Sequence, residues 1–360
     1  MRIAIDASGA AREDGTGVAV YIRELSRALA KIAPKDEFVL YYRASRVRAK
    51  KLFLEEPGSN FRTAFPPLAL LKTRKVDLAH GPDSRLLNIG RVRTVTVHDV
   101  FSLISDEWAD GKFRRKKAAR YAQIAKRAHL VICDSKSTAG DFARLFPESA
   151  GRLRVVPLGV NPVFRPLPLT ECEEALNRLG IRRPYILHVG NIASRKNLAR
   201  LVDAFGTLAG SCPDLQLVLA GRLSYGHEKI LEKISSSGLE HRIYLPGYVS
   251  MEDLPYLYGG AAVFVFPSLY EGFGLPALEA MACGIPVVAS NRSSLPEVVG
   301  DAGILINPVS ETEIAQAIDK LLSDNELHGK LSEAGIKRAG EFTWERTARE
   351  TLAVYREAAS

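Results

Sequence analysis

Short apolar runs alternate with amphipathic helical stretches along this chain, and the alternation starts twice. In the first half, Ile3–Ile5 precedes a stretch with Val18, Ile22, Leu25, Leu29 and Ile32 at helical spacing. Phe38–Tyr41, Val76–Ala79, Thr94–Val97, Leu130–Cys133 and Leu153–Val156 read as further strands. Pro157, Pro162, Pro166 and Pro168 then punctuate an extended connection. After it the pattern resumes with a strand at Tyr185–Val189 and a helix bearing Leu198, Leu201, Val202, Phe205 and Leu208 on one face. Leu215–Ala220, Ile243–Leu245, Val263–Phe266, Pro286–Ala289 and Gly303–Ile306 supply more strands, with helices at about 275–283, 311–323 and 327–339. Repeated strand–helix units predict parallel sheets covered by helices, an α/β class. Two such strand–helix domains are expected, over 1–163 and 164–340. Two such halves imply a cleft, and ligands of open α/β sheets sit outside the carboxyl ends of the strands.

The 360 residues contain 46% hydrophobic and 25% charged side chains, enough apolar material for two cores. Disordered, collagen-like and disulfide-stapled classes are excluded. The longest apolar run, about Ala261–Pro267, is far shorter than the roughly 20 residues of a bilayer helix. The opening Met1-Arg2-Ile3-Ala4-Ile5-Asp6 lacks the apolar stretch of a signal peptide, so a cytoplasmic location is expected. Cys133, Cys172, Cys212 and Cys283 form no CxxC pair and read as free thiols.

Charge is unevenly spread. Residues 1–160 hold 30 basic and 17 acidic side chains, whereas 161–360 hold 19 and 24. Two clusters dominate the basic half, Arg43/Arg46/Arg48/Lys50/Lys51 and Lys112/Arg114/Arg115/Lys116/Lys117/Arg120. A solvated helix face is the plain explanation, and attraction to nucleic acid or an anionic lipid surface is the functional one. Each base near such a membrane contributes about 1 kcal/mol. Only Phe113 and Tyr121 lie near the second cluster, thin material for stacking bases.

Chemistry gathers in loops at strand ends. Gly15-Thr16-Gly17 precedes the first helix, where glycines allow close backbone approach and the helix end favours an anion. Alone, such a signal is weak. In Gly190-Asn191-Ile192-Ala193-Ser194-Arg195-Lys196-Asn197, two cations stand between a strand and a helix that Asn197 is expected to cap. Cations beside a helix start suit a phosphate. In Pro267–Ala280, Glu271 lies in a loop and Glu279 within the next helix, with Pro276 in its first turn. Gly272 and Gly274 leave the amides of Phe273, Gly274 and Leu275 open to a ligand. A carboxylate that accepts, beside amides that donate, suits a ligand rich in hydroxyls. Glu279 lies among Leu278, Met281 and Ala282 and needs a partner there.

Gly272-x-Gly274-x-x-Ala277 also matches the dinucleotide-binding pattern. That pattern belongs after the first strand of its domain, with an acid ending the next strand. Here it comes late, and Ser290-Asn291-Arg292 holds no acid. His98-Asp99 follows Thr94–Val97, so His98 is expected at a strand's carboxyl end, either facing the cleft or hydrogen-bonded to backbone.

Taken together, Glu271-x7-Glu279, the Arg195-Lys196-Asn197 loop, Ala220-Gly221-Arg222, Gly247-Tyr248-Val249, His98-Asp99 and Phe342-Thr343-Trp344 resemble family 4 retaining glycosyltransferases of the GT-B fold. The resemblance spans nearly the whole chain and is strongest over 185–310. His98-Asp99-Val100-Phe101 with Asp106-Glu107-Trp108 is most similar to bacterial mannosyltransferases of surface-polysaccharide synthesis.

The resemblance implies two Rossmann-like domains facing each other across a cleft, with 341–360 a C-terminal helix packing back on the first, and a nucleotide-sugar donor, GDP-mannose favoured over UDP-sugars. Arg195 and Lys196 would pair with its diphosphate, and the Gly15–Gly17 loop would close over it. Gly190 and Asn191 would line the donor, with Arg222 at the neighbouring strand end. Glu271 and the Phe273, Gly274 and Leu275 amides would meet sugar hydroxyls, Glu279 the ribose, and Tyr248–Val249 the base. His98 would touch the donor sugar. Many family members carry Arg where this chain has Asn191, which leaves Arg195 and Lys196 as the main cations. No Asp-x-Asp occurs, so no metal and no cofactor is expected, and retention would proceed at the front face. The acceptor would be a saccharide, free or lipid-linked, with an anionic membrane surface as a second partner and no nucleic acid. Two other readings stand beside this one. The first is a nucleotide-sugar epimerase or NAD(P)-dependent oxidoreductase, the second a basic nucleic-acid binder.

Overall fold

A computed structural model describes residues 1–11, 16–46, 53–64 and 76–360. The chain divides into two compact units. Unit 1 comprises Met1–Ile104, Gly111–Gly159 and Phe342–Ser360, and unit 2 comprises Ser105–Asp110 and Val160–Glu341. The short Ser105–Asp110 segment thus belongs with the later residues. Trp108 packs on Tyr270, with ring centroids 5.9 Å apart, and Ser194 Oγ donates to the Glu107 carbonyl at 3.1 Å.

Unit 1 is built on seven parallel strands. They are β1 (Arg2–Asp6), β2 (Glu37–Tyr41), β3 (Phe61–Ala64), β4 (Leu78–Gly81), β5 (Val92–Val97), β6 (Leu130–Cys133) and β7 (Leu153–Val155), in the order β3-β2-β1-β4-β5-β6-β7. The expected strand at Val76–Ala79 is shifted to Leu78–Gly81, and β3 is an edge strand too short to show a pattern. The Gly17–Ile32 helix is capped by Thr16, whose hydroxyl accepts from the Ala19 amide at 3.3 Å. It buries Tyr21, Ile22, Leu25 and Leu29, each contributing about 1.5–3 kcal/mol. The closing Trp344–Ala359 helix packs on the Gly17–Ile32 helix. Tyr355 Oη shares a hydrogen bond with His80 Nδ1 at 2.5 Å, and His80 Nε2 shares one with Thr96 Oγ1 at 2.8 Å. Gly159 is obligatory beneath it, since a Cβ there would stand 2.3 Å from the Trp344 amide.

Unit 2 holds β8 (Tyr185–Val189), β9 (Gln216–Ala220), β10 (Ile243–Gly247), β11 (Val263–Phe266), β12 (Val287–Ser290) and β13 (Ile304–Ile306). All are parallel, in the order β10-β9-β8-β11-β12-β13. The Leu198–Leu208 helix buries the apolar face its sequence predicts, with Leu201 and Phe205 fully enclosed. Helices also occupy Leu275–Ala282, Glu311–Ser323 and Asn325–Ala339, within two residues of expectation.

Candidate functional site

The unit 2 sheet grows outward from its centre in both directions. From β8 the chain adds β9 and β10 on one side, then returns to place β11, β12 and β13 on the other. The loops that leave β8 and β11 therefore part at their carboxyl ends and open a crevice, the place where ligands enter such sheets.

The loop after β8 carries the two cations. Gly190 lies at φ +147°, a conformation suited to glycine. Gly221, which ends the neighbouring β9, sits so close that a Cβ would stand 1.8 Å from the Gly190 carbonyl oxygen. A single 3-10 turn, Ser194–Lys196, then swings both cations toward β11. Lys196 Nζ donates to Glu271 Oε1 at 2.5 Å, and Arg195 Nη1 meets Glu271 Oε2 at 3.2 Å and the Tyr270 carbonyl at 3.0 Å. The Lys196 side chain is 6% exposed and that of Glu271 9%, so the pair is shielded from water. Lys196 Nζ also lies over the Phe266 ring, 4.5 Å from its centroid.

Burial would raise the Glu271 pKa, but the charges of Lys196 and then Arg195 outweigh it and bring the carboxyl down to about 2. Glu271 is thus a fixed anion and a poor proton acceptor. Its loop is held from behind by β12's exit, where Ser293 Oγ accepts from the Glu271 amide at 2.9 Å. Ser294 Oγ donates to the carbonyls of Glu271 and Phe273. The loop ends at Gly274 (φ +113°), which starts the Leu275–Ala282 helix without a side-chain cap.

Asn197 departs from expectation. It does not cap the helix that follows, because it occupies the left-handed region at φ 59° and its side chain turns away. Its Nδ2 instead donates to the carbonyls of Pro267 and Pro308, at 3.1 and 2.6 Å, and ties the β8 loop to the β11 loop. His188, the penultimate residue of β8, is fully buried, with Nδ1 3.1 Å from the Val265 carbonyl. Burial, then the charge of Lys196, lowers it to about 3, so it is neutral. Neutral Nδ1 must then donate, which leaves Nε2 an acceptor without a partner among the described residues.

Glu279 finds the partner that its apolar helix demands. Tyr258 Oη donates to Glu279 Oε2 at 2.8 Å, and burial raises the carboxyl to about 7 despite that bond. At the β9 and β10 ends, the Arg222 guanidinium lies over the exposed Tyr248 ring, 4.7 Å from its centroid, and Val249 is buried behind it. Asn191 is exposed.

In unit 1, His98 follows β5 and Asp134 follows the adjacent β6. His98 Nδ1 pairs with Asp134 Oδ2 at 2.7 Å and Nε2 donates to the Pro82 carbonyl at 2.7 Å. Burial opposes the charged ring, but the Asp134 carboxylate prevails and raises His98 to about 9. Both ring nitrogens are thus committed within unit 1. Gly17 is exposed at its helix start, and Gly15 lies outside the described residues. Of the first basic cluster, Arg48, Lys50 and Lys51 also lie outside them.

Sequence reasoning did not identify Asp134, His188, Tyr258, Ser293 or Ser294. Asp134 and Ser293 stand just past strand ends, which is the signal that could have found them.

Sequence models of known families match both units. "Glycosyltransferase Family 4" matches residues 15–164 and "Glycosyl transferases group 1" matches residues 173–338. O-antigen chain mannosyltransferase B of Escherichia coli is 32% identical over 288 residues, 79% of this chain and 76% of that protein. The serotype-specific mannosyltransferase WbdA of Escherichia coli is 30% identical over 71% of this chain, which spans only 32% of WbdA. Among solved structures, sucrose-phosphate synthase of Thermosynechococcus elongatus aligns over 100% of both chains with a TM-score of 0.79 and 25% identity. Anabaena HepE, solved with UDP and glucose, aligns over 99% of both chains with a TM-score of 0.77 and 18% identity. The oxidoreductase, epimerase and nucleic-acid readings gain nothing from these comparisons.

Proposed function

Given that the chain belongs to glycosyltransferase family 4 and has the GT-B fold, we propose that it transfers mannose from GDP-mannose to a saccharide or lipid-linked saccharide, with retention and without metal. The observation that carries this reading is the shielded Lys196–Arg195–Glu271 cluster at the point where the strand order of the unit 2 sheet reverses. A leaving diphosphate gains negative charge as its bond to the sugar breaks. Two pre-placed cations stabilise that charge without reorganising, usually the largest catalytic contribution.

Glu271, ionised throughout the neutral range, accepts from sugar hydroxyls and holds the cations in place. Glu279 accepts from the ribose, and the Arg222–Tyr248 pair offers a flat face to the base. In the transfer, the anomeric C–O bond breaks with its electron pair going to the diphosphate. The acceptor oxygen bonds to the same face of that carbon, and its proton passes to the departing phosphate oxygen. No side chain need take the proton, in keeping with the low pKa of Glu271. His98 can donate to a sugar hydroxyl only if its Nε2 proton leaves the Pro82 carbonyl. The mannosyltransferases among the relatives support the choice of sugar.

The test is incubation with GDP-mannose or UDP-glucose and a mannose-terminated oligosaccharide, in the presence of EDTA. GDP release and an α-anomeric product signal by NMR are expected. Consumption of neither donor, with neither raising Tm, would overturn the reading, and a requirement for added metal would overturn its metal-free part.

A further inference from the structure

At the opposite, amino-terminal edge of the unit 1 sheet lies an open hollow of about 560 Å³. It is lined by Arg93, Lys126, Arg127, His129, Arg152 and Glu357, together with small or apolar residues and no Phe, Tyr or Trp. Arg93 stands near the start of β5 and His129 just before β6. His98 and Asp134 stand past the other ends of the same strands, roughly 16 Å away along β5 at about 3.3 Å per residue. This place is therefore separate from the residues discussed above.

Its charge is one-sided. Glu357 is the lone acid of the lining, and it is already taken by Arg154 through two guanidinium nitrogens. Arg152 is spent on backbone. Its guanidinium donates to the carbonyls of Ala128, Ala125 and Glu148, and so neutralises the negative end of the Gly111–Arg127 helix. That helix end would otherwise repel an anion. Lys126 has no acidic partner among the described residues, and Arg127 reaches only the Asn88 amide oxygen at 3.3 Å. Arg93 Nε is closed off from solvent with no acceptor among the described residues. His129 Nδ1 accepts from the Arg93 amide at 3.2 Å, which leaves the ring proton on Nε2 as a donor.

We propose that this hollow is a binding site for a phosphate group, held by Lys126, Arg127, Arg93 and the His129 Nε2–H. Forked guanidiniums and an ammonium around a concave surface match a tetrahedral dianion. The lining offers no Phe, Tyr or Trp for a nucleobase to stack on, and the one ring present, His129, is used as a donor, so the phosphate is carried by a lipid headgroup or is free. The inference stands independently of the donor chemistry proposed above.

The full chain is titrated with inorganic phosphate while the His129 ring is followed by NMR, and is sedimented with vesicles of 3:1 phosphatidylcholine to phosphatidic acid. Saturable His129 shifts are expected, with affinity at least 10-fold lower in Arg93→Gln/Lys126→Gln and within twofold of normal in Lys116→Gln, on the same helix. Lys126→Gln alone keeps the test decisive if the change at Arg93 disturbs the sheet, and is expected to lose at least threefold. A lipid source is identified if the vesicles carry the chain down and lose it in the double variant; a free source is identified if the chain saturates with phosphate and stays in the supernatant. Binding to neither probe overturns the proposal, as does an equal loss in Lys116→Gln and the double variant, which would mean diffuse charge and not a site.

Discussion

Removing Lys196 separates a structural ion pair from a catalytic cation. In Lys196→Ala the Glu271 carboxylate keeps Arg195 at 3.2 Å but loses the 2.5 Å contact, inside a nearly dry setting. Breaking a buried pair from one side costs about 3–5 kcal/mol when no partner is left. With Arg195 still present, we expect roughly half of that, read from urea unfolding. Catalysis suffers separately, because loss of one transition-state charge stabiliser lowers kcat by about 10²–10³-fold. Lys196→Met/Glu271→Gln distinguishes the two effects. Shape is kept and the one charge left without its carboxylate, Arg195, is 20% exposed and keeps the Tyr270 carbonyl, so stability recovers in part relative to Lys196→Ala. Turnover of nucleotide-sugar stays at least about 10²-fold down, since the diphosphate still lacks its ammonium and the sugar its carboxylate. If turnover recovered together with stability, or if folded Lys196→Ala kept kcat within threefold, the cation would be scaffolding and the proposed chemistry would fall.

Three further outcomes are expected. Because Glu279 sits near pH 7, its charged form is lost as pH falls through that value, so KM for the nucleotide-sugar rises on acidification. Glu279→Gln flattens the profile, and a wild-type KM unchanged between pH 8 and 6 would refute this. Gly221→Ala drives a methyl group into the Gly190 carbonyl and forces φ +153° on alanine, costing roughly 2–5 kcal/mol, and a Tm within 2 °C of normal would contradict the geometry. His80 and His188, both lowered to about 3 chiefly by burial, contribute stability that is complete above pH 6.5 and drains as pH falls toward 3. His98, raised to about 9, contributes stability that is complete below pH 6.5 and drains as pH climbs through 9. Unfolding free energy should therefore decline on both sides of neutrality, and a flat profile from pH 4 to 9 would refute these assignments.

Local pattern was legible in the sequence wherever one face of an element is buried. The Leu198–Leu208 helix and strands β8, β9 and β11 emerge from apolar spacing alone. The two loops of the site were visible separately as a cation pair and a glutamate. Their union was not, because Lys196 and Glu271 are 75 residues apart and meet only through the pairing of β8 with β11. Asn197 misled because its residue type suits both a cap and the left-handed region, and only the carbonyls of Pro267 and Pro308 decide between them. Tyr258 was hidden for a similar reason. It is a buried aromatic in a six-residue helix, and nothing local announces that its hydroxyl meets Glu279. The brief β3 carries two inward and two outward residues, too few to establish a period.

Unit 1 takes its last helix from Phe342–Ser360, after the whole of unit 2 has been made. During synthesis on the ribosome, His80 and Tyr21 therefore wait uncovered until residues 342–360 emerge, whereas unit 2 can close around its own sheet beforehand. The order of maturation runs against the order of translation. A nascent chain stalled before residue 342 would expose the ring of Tyr21 and the imidazole of His80 to chaperones, and a protease cutting near residue 341 would disable the earlier-made unit by taking away a piece encoded after unit 2.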